Sequence, residues 1–264
     1  MNPFAYEFGY GWAWNYGHLA AIIPFTLLAL LAWKLEWSRW LRALAVAGAA
    51  WGLAGLLIVQ FVMRINLPMQ LPTQSFLARG TGQVLDAGAG SGRSSLMVLL
   101  ARPHSRVVAL DLYEGYYGIA DNTPQRLLAN AEIAGARERI SAQAGDMREM
   151  PFPDASFDAA VSAYAIDHLS REGVENSLSE VRRVLRSEGE FLLIVINPDI
   201  WIRMAYPFFV HHGYFGGRTD HQRWRSHLID AGFQVTEMGT TPGSLYFLAH
   251  KPAASAPQGL ASRR

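Results

Sequence analysis

The sequence of 264 residues contains no cysteine. This absence excludes disulfide bonds, a cysteine nucleophile, a cysteine-ligated zinc site and an iron–sulfur cluster. His211 and His212 are adjacent but have no further ligand at helical spacing, so we predict no metal site. The formal net charge is only +1 and no block of like charge occurs, so the composition gives no sign of a nucleic-acid partner.

Charged residues are also missing from two long stretches near the N-terminus. Neither 8–33 nor 43–63 contains Asp, Glu, Lys or Arg, and each is long enough to cross a hydrocarbon layer of roughly 30 Å as a helix. We predict helices over 18–35 and 41–64 and, from them, a membrane-inserted hairpin over 1–64. The first 33 residues hold no Lys or Arg, which argues against the basic start of a signal peptide.

Aromatic and small residues support this hairpin. Tyr and Trp gather at both ends of the first predicted helix, as amphipathic rings do at a membrane surface. Gly48 and Gly52 form a GxxxG pattern, which lets another helix backbone approach closely and leaves open a homo-oligomer through these helices. The alternative is a buried hairpin in a soluble protein, but such helices normally carry a polar stripe and neither helix has one.

Positive charges near the hairpin bear on its orientation. Lys34, Arg39 and Arg42 lie in the connection between the two helices, whereas Arg64 and Arg79 follow the second helix. We expect the domain that follows to lie on the cytoplasmic side of the membrane, although the positive-inside tendency favours the more basic connection there. A shallow, re-entrant or interfacial hairpin would remove this conflict.

A different pattern begins at Gly82, where short apolar strands alternate with helices. This alternation predicts a Rossmann-like α/β fold, with a seven-stranded, mostly parallel sheet and helices on both faces. The last two strands are close in sequence, so we expect one of them to be antiparallel. Gly189 is expected to cap the helix over 170–185. The predicted strands are 83–87, 106–110, 140–144, 157–162, 190–196, 233–238 and 244–250, and the other helices are 94–101, 123–134 and 220–231.

The chain divides into four predicted segments. The hairpin over 1–64 is followed by a linker over 65–81, which Pro68 and Pro72 stiffen. The α/β domain covers 82–251. The tail over 252–264 is rich in Ala, Ser and Pro, and we predict that it is disordered.

A glycine turn follows the first strand, within the stretch VLDAGAGSGRSS at 84–95. A dinucleotide-binding turn has the spacing G-x-G-x-x-G. Here Gly88, Gly90 and Gly92 follow at every second position, and Arg93 occupies the place of the third glycine. A nicotinamide-dependent oxidoreductase is therefore disfavoured. No Gly-Lys-Ser/Thr sequence occurs, which also excludes a Walker A phosphate loop.

Two acids follow the next two strands. Asp111 ends the second strand and is placed to accept hydrogen bonds from ribose hydroxyls, and Asp146 follows the third strand and is placed to accept from an adenine amino group. In such sheets the ligand binds outside the carboxyl ends of the strands. A nucleoside that is held at ribose and base, without a phosphate cradle, indicates S-adenosylmethionine (SAM) as the cofactor.

Four stretches resemble, in order and spacing, the motifs of class I SAM-dependent methyltransferases with a type 11-like domain. They are VLDAGAGSGRSS, VVALDLYEGYYG, AGDMREMPFPDASFDAAVSAYAIDHL and EVRRVLRSEGEFLLIVI, and the resemblance covers 83–251. It implies that Asp86, Ala87, Gly88, Gly90 and Gly92 lie at the methionine end of SAM, that Asp111 and Leu112 hold ribose and adenine, that Asp146 and Met147 contact adenine, and that Ala163 lies beside the sulfonium.

The catalytic candidates follow the fourth strand or lie in a later insert. They are Tyr164, Asp167, His168 and His211, although a general base is needed only if the acceptor arrives protonated. For His168 a purely structural role is equally open. The insert over 200–217 is aromatic and apolar and forms either a substrate lid or a packed helix.

The hairpin and the apolar insert together predict the substrate class. We expect a membrane-associated methyltransferase that acts on a small, lipophilic acceptor or a lipid. The alternative is a non-catalytic SAM-binding or membrane assembly module with the same fold.

Overall fold

The computed structural model describes residues 5–114, 120–207 and 221–253. Seven strands form one sheet, as the alternating pattern predicts. The strands are β1 (Thr81–Ala87), β2 (His104–Asp111), β3 (Ile140–Ala144), β4 (Phe157–Ala163), β5 (Leu185–Ile196), β6 (Gln234–Thr241) and β7 (Ser244–His250). Their order across the sheet is β3-β2-β1-β4-β5-β7-β6.

The helices of the described residues flank this sheet or precede it. They are α1 (Trp12–Tyr16), α2 (Leu19–Lys34), α3 (Arg39–Leu57), α4 (Arg93–Ala101), α5 (Pro124–Ile133), α6 (Arg171–Val184), α7 (Ile200–Ala205) and α8 (His221–Asp230). Side-chain caps fix three of the starts, and at α7 the Asp199 carboxylate accepts from the Trp201 and Ile202 N–H groups. The hydroxyl of Thr123 accepts from the Arg126 backbone N–H, and that of Ser170 accepts from the Gly173 N–H.

The strand directions place the site. β1 pairs in parallel with β2 on one side and with β4 on the other, so the chain reverses its winding direction at β1 and β4. The carboxyl ends of these strands therefore border a crevice of the kind in which α/β proteins bind ligands. Only β7 among the seven strands runs antiparallel, and it pairs with β5 and β6, which agrees with the predicted mostly parallel sheet.

Helices cover both faces of the sheet. Along β1, Val84 and Leu85 point to opposite faces because side chains alternate along a strand. Val84 packs in one core cluster with Leu96 of α4, whereas Leu85 packs in another with Leu178 of α6 and Leu228 of α8. The predicted two-sided covering is therefore confirmed.

The predicted cap at Gly189 is wrong. The helix α6 ends at Val184, and β5 begins at the next residue. Leu185 pairs with Phe157 before the register shifts, and Glu190 then pairs with Ala159. Gly189 lies in this irregular part of β5, where a Cβ would be 2.9 Å from the Arg186 carbonyl oxygen. Gly189 therefore allows two backbone segments to pass close to each other. A glycine that follows a helix in the sequence looks the same whether it has this role or caps the helix.

The helices α2 and α3 form an antiparallel hairpin. A Cβ at Gly48 would contact the ring of Phe25, and one at Gly52 would be 2.9 Å from Ile22 Cγ1. The GxxxG face of α3 is therefore occupied by α2 of the same chain. The outer faces carry large exposed apolar side chains, including Leu27 and Leu44.

The two hairpin helices differ in length. Among the described residues, one helix is long and apolar enough to cross a membrane, namely the 25 residues Arg39–Met63, which include a π-helical end over Ile58–Met63. The helix α2 has 16 residues, or about 24 Å at the usual rise per residue. The structure thus supports one membrane-length helix where the sequence predicted two.

The segment before the hairpin packs on the α/β domain. Tyr6 and Phe8 are buried in its core cluster. The Asn130 side chain on α5 accepts from the Glu7 N–H at 2.9 Å and donates to the Glu7 carbonyl at 2.9 Å. The hairpin also contacts the insert after β5, since a ring nitrogen of His18 hydrogen-bonds the Ala205 carbonyl at 2.6 Å.

Candidate active site

A cavity of about 400 Å³ opens at the carboxyl ends of β1, β2 and β4. Its walls combine the glycine turn, the ends of β2 and β4, and the loop after β3. Of the residues predicted from the sequence, those that line it are Gly88, Gly90, Asp111, Leu112, Asp146, Met147, Ala163, Tyr164 and His168.

In the part of the chain that the structure describes, some of the predicted site residues do not line the cavity. Asp86, Ala87, Gly92 and Asp167 are buried and are not among the residues that line it. The Asp167 carboxylate accepts from the Ile196 N–H at 3.0 Å, which joins β4 to the end of β5. His211 lies outside the described residues.

The turn requires glycine for two reasons. Gly88, Gly90 and Gly92 have φ values of 83°, 53° and 92°, in the left-handed region that side chains disfavour. A Cβ at Gly88 would also be 2.7 Å from Met147 Cε and would overlap the methyl group of Ala165. Because these residues have no side chains, the backbone of the turn faces the cavity and can contact a small ligand directly.

Asp111 is held firmly at the cavity wall. Its Oδ2 accepts from the Gly90 N–H at 2.8 Å. Its Oδ1 accepts from the Tyr113 N–H at 2.8 Å and from Asn122 Nδ2 at 2.9 Å. A carboxylate offers about four acceptor sites, so Asp111 retains capacity for a ribose hydroxyl. Asn122, which directly precedes the Thr123 cap of α5, thereby helps to hold Asp111 in place.

Asp86 supports the turn from beneath. Its side chain is fully buried, and its Oδ2 accepts from Ser94 Oγ at 2.7 Å and from Ser95 Oγ at 2.6 Å. Its Oδ1 has no hydrogen-bond partner among the described residues. Burial raises the pKa of Asp86 to about 6, against the weaker effect of the two serine donors.

Asp146 follows β3 and also lines the cavity. The Arg148 Nε donates to Asp146 Oδ1 at 3.0 Å and to Oδ2 at 2.9 Å, and Nη2 donates to Oδ2 at 2.6 Å. These hydrogen bonds hold the pKa of Asp146 below its ordinary value. Any adenine amino group at this wall would therefore share the carboxylate with Arg148.

Tyr164 and His168 follow β4. Tyr164 has a left-handed φ of 53°, and its hydroxyl is hydrogen-bonded to Ser244 Oγ. Burial raises the pKa of Tyr164, so it stays protonated at neutral pH. Burial lowers the pKa of His168 to about 4. His168 is therefore uncharged at neutral pH, and its protonated form is too acidic for an efficient general base there.

Sequence reasoning missed Arg93. Its Nε donates to the Leu67 carbonyl at 2.8 Å, and its Nη2 donates to the carbonyls of Met63 at 3.2 Å and Arg64 at 3.1 Å. Arg93 also lines the cavity, together with Tyr10 from the N-terminal segment and Met69 from the linker. The sequence offered one indication of a special role, because Arg93 occupies the place of the third glycine of a dinucleotide-binding turn.

Comparisons with known proteins show which family the chain resembles. A family model described as a methyltransferase domain matches residues 84–189. A protein of Encephalitozoon cuniculi named as a methyltransferase is 32% identical over 185 residues, which cover 64% of this chain and 78% of that protein. A ubiquinone/menaquinone biosynthesis C-methyltransferase of Dinoroseobacter shibae is 30% identical over 133 residues, so the match spans only half of each chain.

The fold is shared with a solved SAM-dependent methyltransferase of Methanosarcina mazei. The TM-score is 0.55 at 17% identity, over 70% of this chain and all of that one. The chain belongs to the class I SAM-dependent methyltransferases. It is a methyltransferase that uses SAM, and the open glycine turn with the acceptors at Asp111 and Asp146 fits that cofactor.

The substitution Asp111→Ala is predicted to weaken SAM binding. It removes a charged acceptor from the ribose and leaves the Gly90 N–H unpaired, which should cost about 1.5–3 kcal/mol, or roughly 10- to 150-fold in Kd. Calorimetric titration with SAM measures this loss. Asp154→Ala, at an exposed carboxylate outside the cavity, serves as the control, and an unchanged Kd for Asp111→Ala would contradict the assignment.

The substitution Asp86→Asn is predicted to change how stability depends on pH. Because the pKa of folded Asp86, about 6, exceeds its ordinary value of 3.8, the folded chain keeps a proton that the unfolded chain has lost, and stability falls as pH rises from 4 to 6. The introduced amide cannot ionise, so the variant should gain about 3 kcal/mol relative to the wild type between pH 4 and pH 7.

Urea unfolding at several pH values measures this difference. Asp154→Asn, at an exposed carboxylate, is the matched control and should show no such gain. A constant difference between Asp86→Asn and the wild type over pH 4–7 would mean that Asp86 is not a buried, protonatable group.

Proposed function

We propose that this methyltransferase methylates a small lipophilic acceptor at a membrane surface, with the α/β domain on the cytoplasmic side. The observation that carries the proposal is the direct attachment of an apolar hairpin to the cofactor site. Arg93 follows the glycine turn and binds the backbone where the hairpin ends. An acceptor that lies near the end of the hairpin is therefore close to the cofactor.

The exposed surface of the hairpin supports membrane association. Leu27, Leu30, Leu44 and Phe61 are between 60% and 74% exposed. Contiguous apolar surface of this kind marks an interaction site, since monomeric soluble proteins rarely expose it. A bilayer accounts for it better than a second copy of the chain does, because α2 already occupies the glycine-rich face of α3.

The names of related proteins support a lipophilic acceptor. The Dinoroseobacter shibae relative is named for ubiquinone/menaquinone biosynthesis. The match spans half of that protein, so its acceptor enters here as part of the proposal. An acceptor of that type carries a ring with oxygen substituents and an apolar chain, which suits a site beside an apolar hairpin.

The side chains of this site contribute mainly by positioning. Bound SAM supplies a methyl group that is already activated on a sulfonium. Asp111 and the glycine turn hold the cofactor, and Tyr164 lies where the acceptor must meet the methyl group. His168 is a poor base at neutral pH, so we assign it no role in proton transfer. The enzyme gains rate by alignment and by exclusion of water.

Methyl transfer to a lipid-soluble acceptor is the direct test. The full-length protein is incubated with SAM labelled in the methyl group and a bacterial lipid extract, and the products are identified by mass spectrometry. Label should enter one apolar product and depend on Asp111, since Asp111→Ala weakens cofactor binding. Turnover of SAM with all label in water-soluble products would contradict the proposed substrate class.

Membrane attachment is predicted to depend on the exposed hairpin face. The full-length chain should remain with membranes after alkaline carbonate washing. Leu53→Asp places a charge on the exposed face of α3, at a cost of about 2.5–3.5 kcal/mol in a bilayer centre, and should release more protein. Leu100→Asp, at an exposed leucine of α4, is the matched control.

Complete release of the wild type by carbonate would contradict insertion. A deletion of 1–64 is less informative, because it would also remove Tyr6 and Phe8 from the core of the α/β domain.

A further inference from the structure

A second cavity lies between the hairpin and the cofactor cavity. It encloses about 230 Å³. Three parts of the chain contribute most of its lining: residues 62–64 at the end of the hairpin, residues 68–72 of the linker, and Thr241 and Pro242 at the turn between β6 and β7. Most of these residues lie outside the motifs that identify the family.

The two cavities share a wall. Met69, Arg93 and Tyr164 line both of them. Tyr164 directly follows Ala163, which by the assignment above lies beside the sulfonium of SAM. A molecule in the second cavity would therefore lie beside the methyl end of the cofactor, at the boundary that these three residues form.

The lining combines polar and apolar groups. Tyr164 and Ser244 provide hydroxyls that bond each other. The Nη1 of Arg93 donates no hydrogen bond within the part of the chain that the structure describes, so a donor is available beside them. Toward the hairpin, Val62 and Met63 present apolar surface, and Val62 is 36% exposed.

The volume limits the size of the bound group. An apolar cavity of about 150 Å³ accommodates benzene. A cavity of about 230 Å³ therefore accommodates one substituted ring, and an apolar chain attached to that ring would extend out of the cavity.

We propose that this second cavity binds the methyl acceptor. The acceptor is an amphipathic molecule whose head is about the size of one ring and carries hydroxyl or carbonyl oxygens. The head lies against Tyr164 and Arg93, and the apolar chain leaves past Val62 and Met63 toward the bilayer. The inference rests on the proposed function and adds where the acceptor binds and how large its head is.

A pair of neighbouring threonines on β6 tests the inference. Thr241 is half-buried and lines the cavity, whereas Thr240 is exposed and does not line it. Thr241→Trp should fill the cavity, and Thr240→Trp adds the same side chain to the opposite face of the strand. Both full-length variants should bind SAM within about twofold of the wild type.

The probe is decylhydroquinone, titrated by calorimetry in one detergent with S-adenosylhomocysteine present. Thr241→Trp should bind it at least about tenfold more weakly than the wild type, and Thr240→Trp within about twofold. Equal binding by the wild type and both variants would overturn the inference. If Thr241→Trp also loses SAM binding, Leu71→Trp fills the cavity from the linker side, and its probe affinity decides.

Two further probes separate the head from the chain. Hydroquinone lacks the chain, decanol lacks the ring, and both should bind more weakly than decylhydroquinone. Decanol binding as tight as that of decylhydroquinone would overturn the assignment of the head.

The labelled-SAM assay distinguishes the two proposals. Label transfer to a lipid that Thr241→Trp does not reduce relative to Thr240→Trp would leave the proposed function standing and overturn the cavity assignment. Absence of any labelled lipid would overturn the proposed function, while the probe titrations would still decide on the cavity.

Discussion

The hydrogen bonds from the Arg93 guanidinium to three backbone carbonyls attach the end of the hairpin and the start of the linker to the cofactor cavity. The carbonyls of Met63, Arg64 and Leu67 lie at and beyond the end of a long helix, where intrahelical donors run out and a cation is favourable. Arg93 is also the first residue of α4, directly after the glycine turn. The Arg93 side chain therefore sets the distance between the end of the hairpin and the cofactor cavity. The linker and the second cavity lie between these two parts of the protein.

Local rules made much of the α/β domain predictable. Strand and helix alternation gave the seven strands, and the carboxyl ends of parallel strands meet at one edge of a sheet. For that reason Asp111, Asp146 and Tyr164, which are far apart in sequence, could be expected in one cavity, and they line one. The spacing of Gly88 and Gly90 also indicated how closely the backbone faces that cavity.

The remaining features depend on tertiary contacts that no local pattern encodes. Asp86 sits in the glycine motif, but its side chain turns beneath the strand end to reach Ser94 and Ser95. Arg93 was visible as an arginine in place of a glycine, yet its three carbonyl partners come from a segment about thirty residues earlier. Tyr10 reaches the cavity only because the chain before the hairpin packs on α5.

That packing fixes the topology of the chain. The Glu7 backbone is bonded to Asn130, 123 residues later, so the chain enters the hairpin from the surface of the α/β domain. Arg93 holds the other end of the hairpin to the same domain. Both ends of the hairpin therefore lie on one side of any bilayer that it enters, and the number of crossings is even. If the hairpin enters a bilayer, the short α2 and the basic connection after it fit a loop that enters the lipid and returns on the same side.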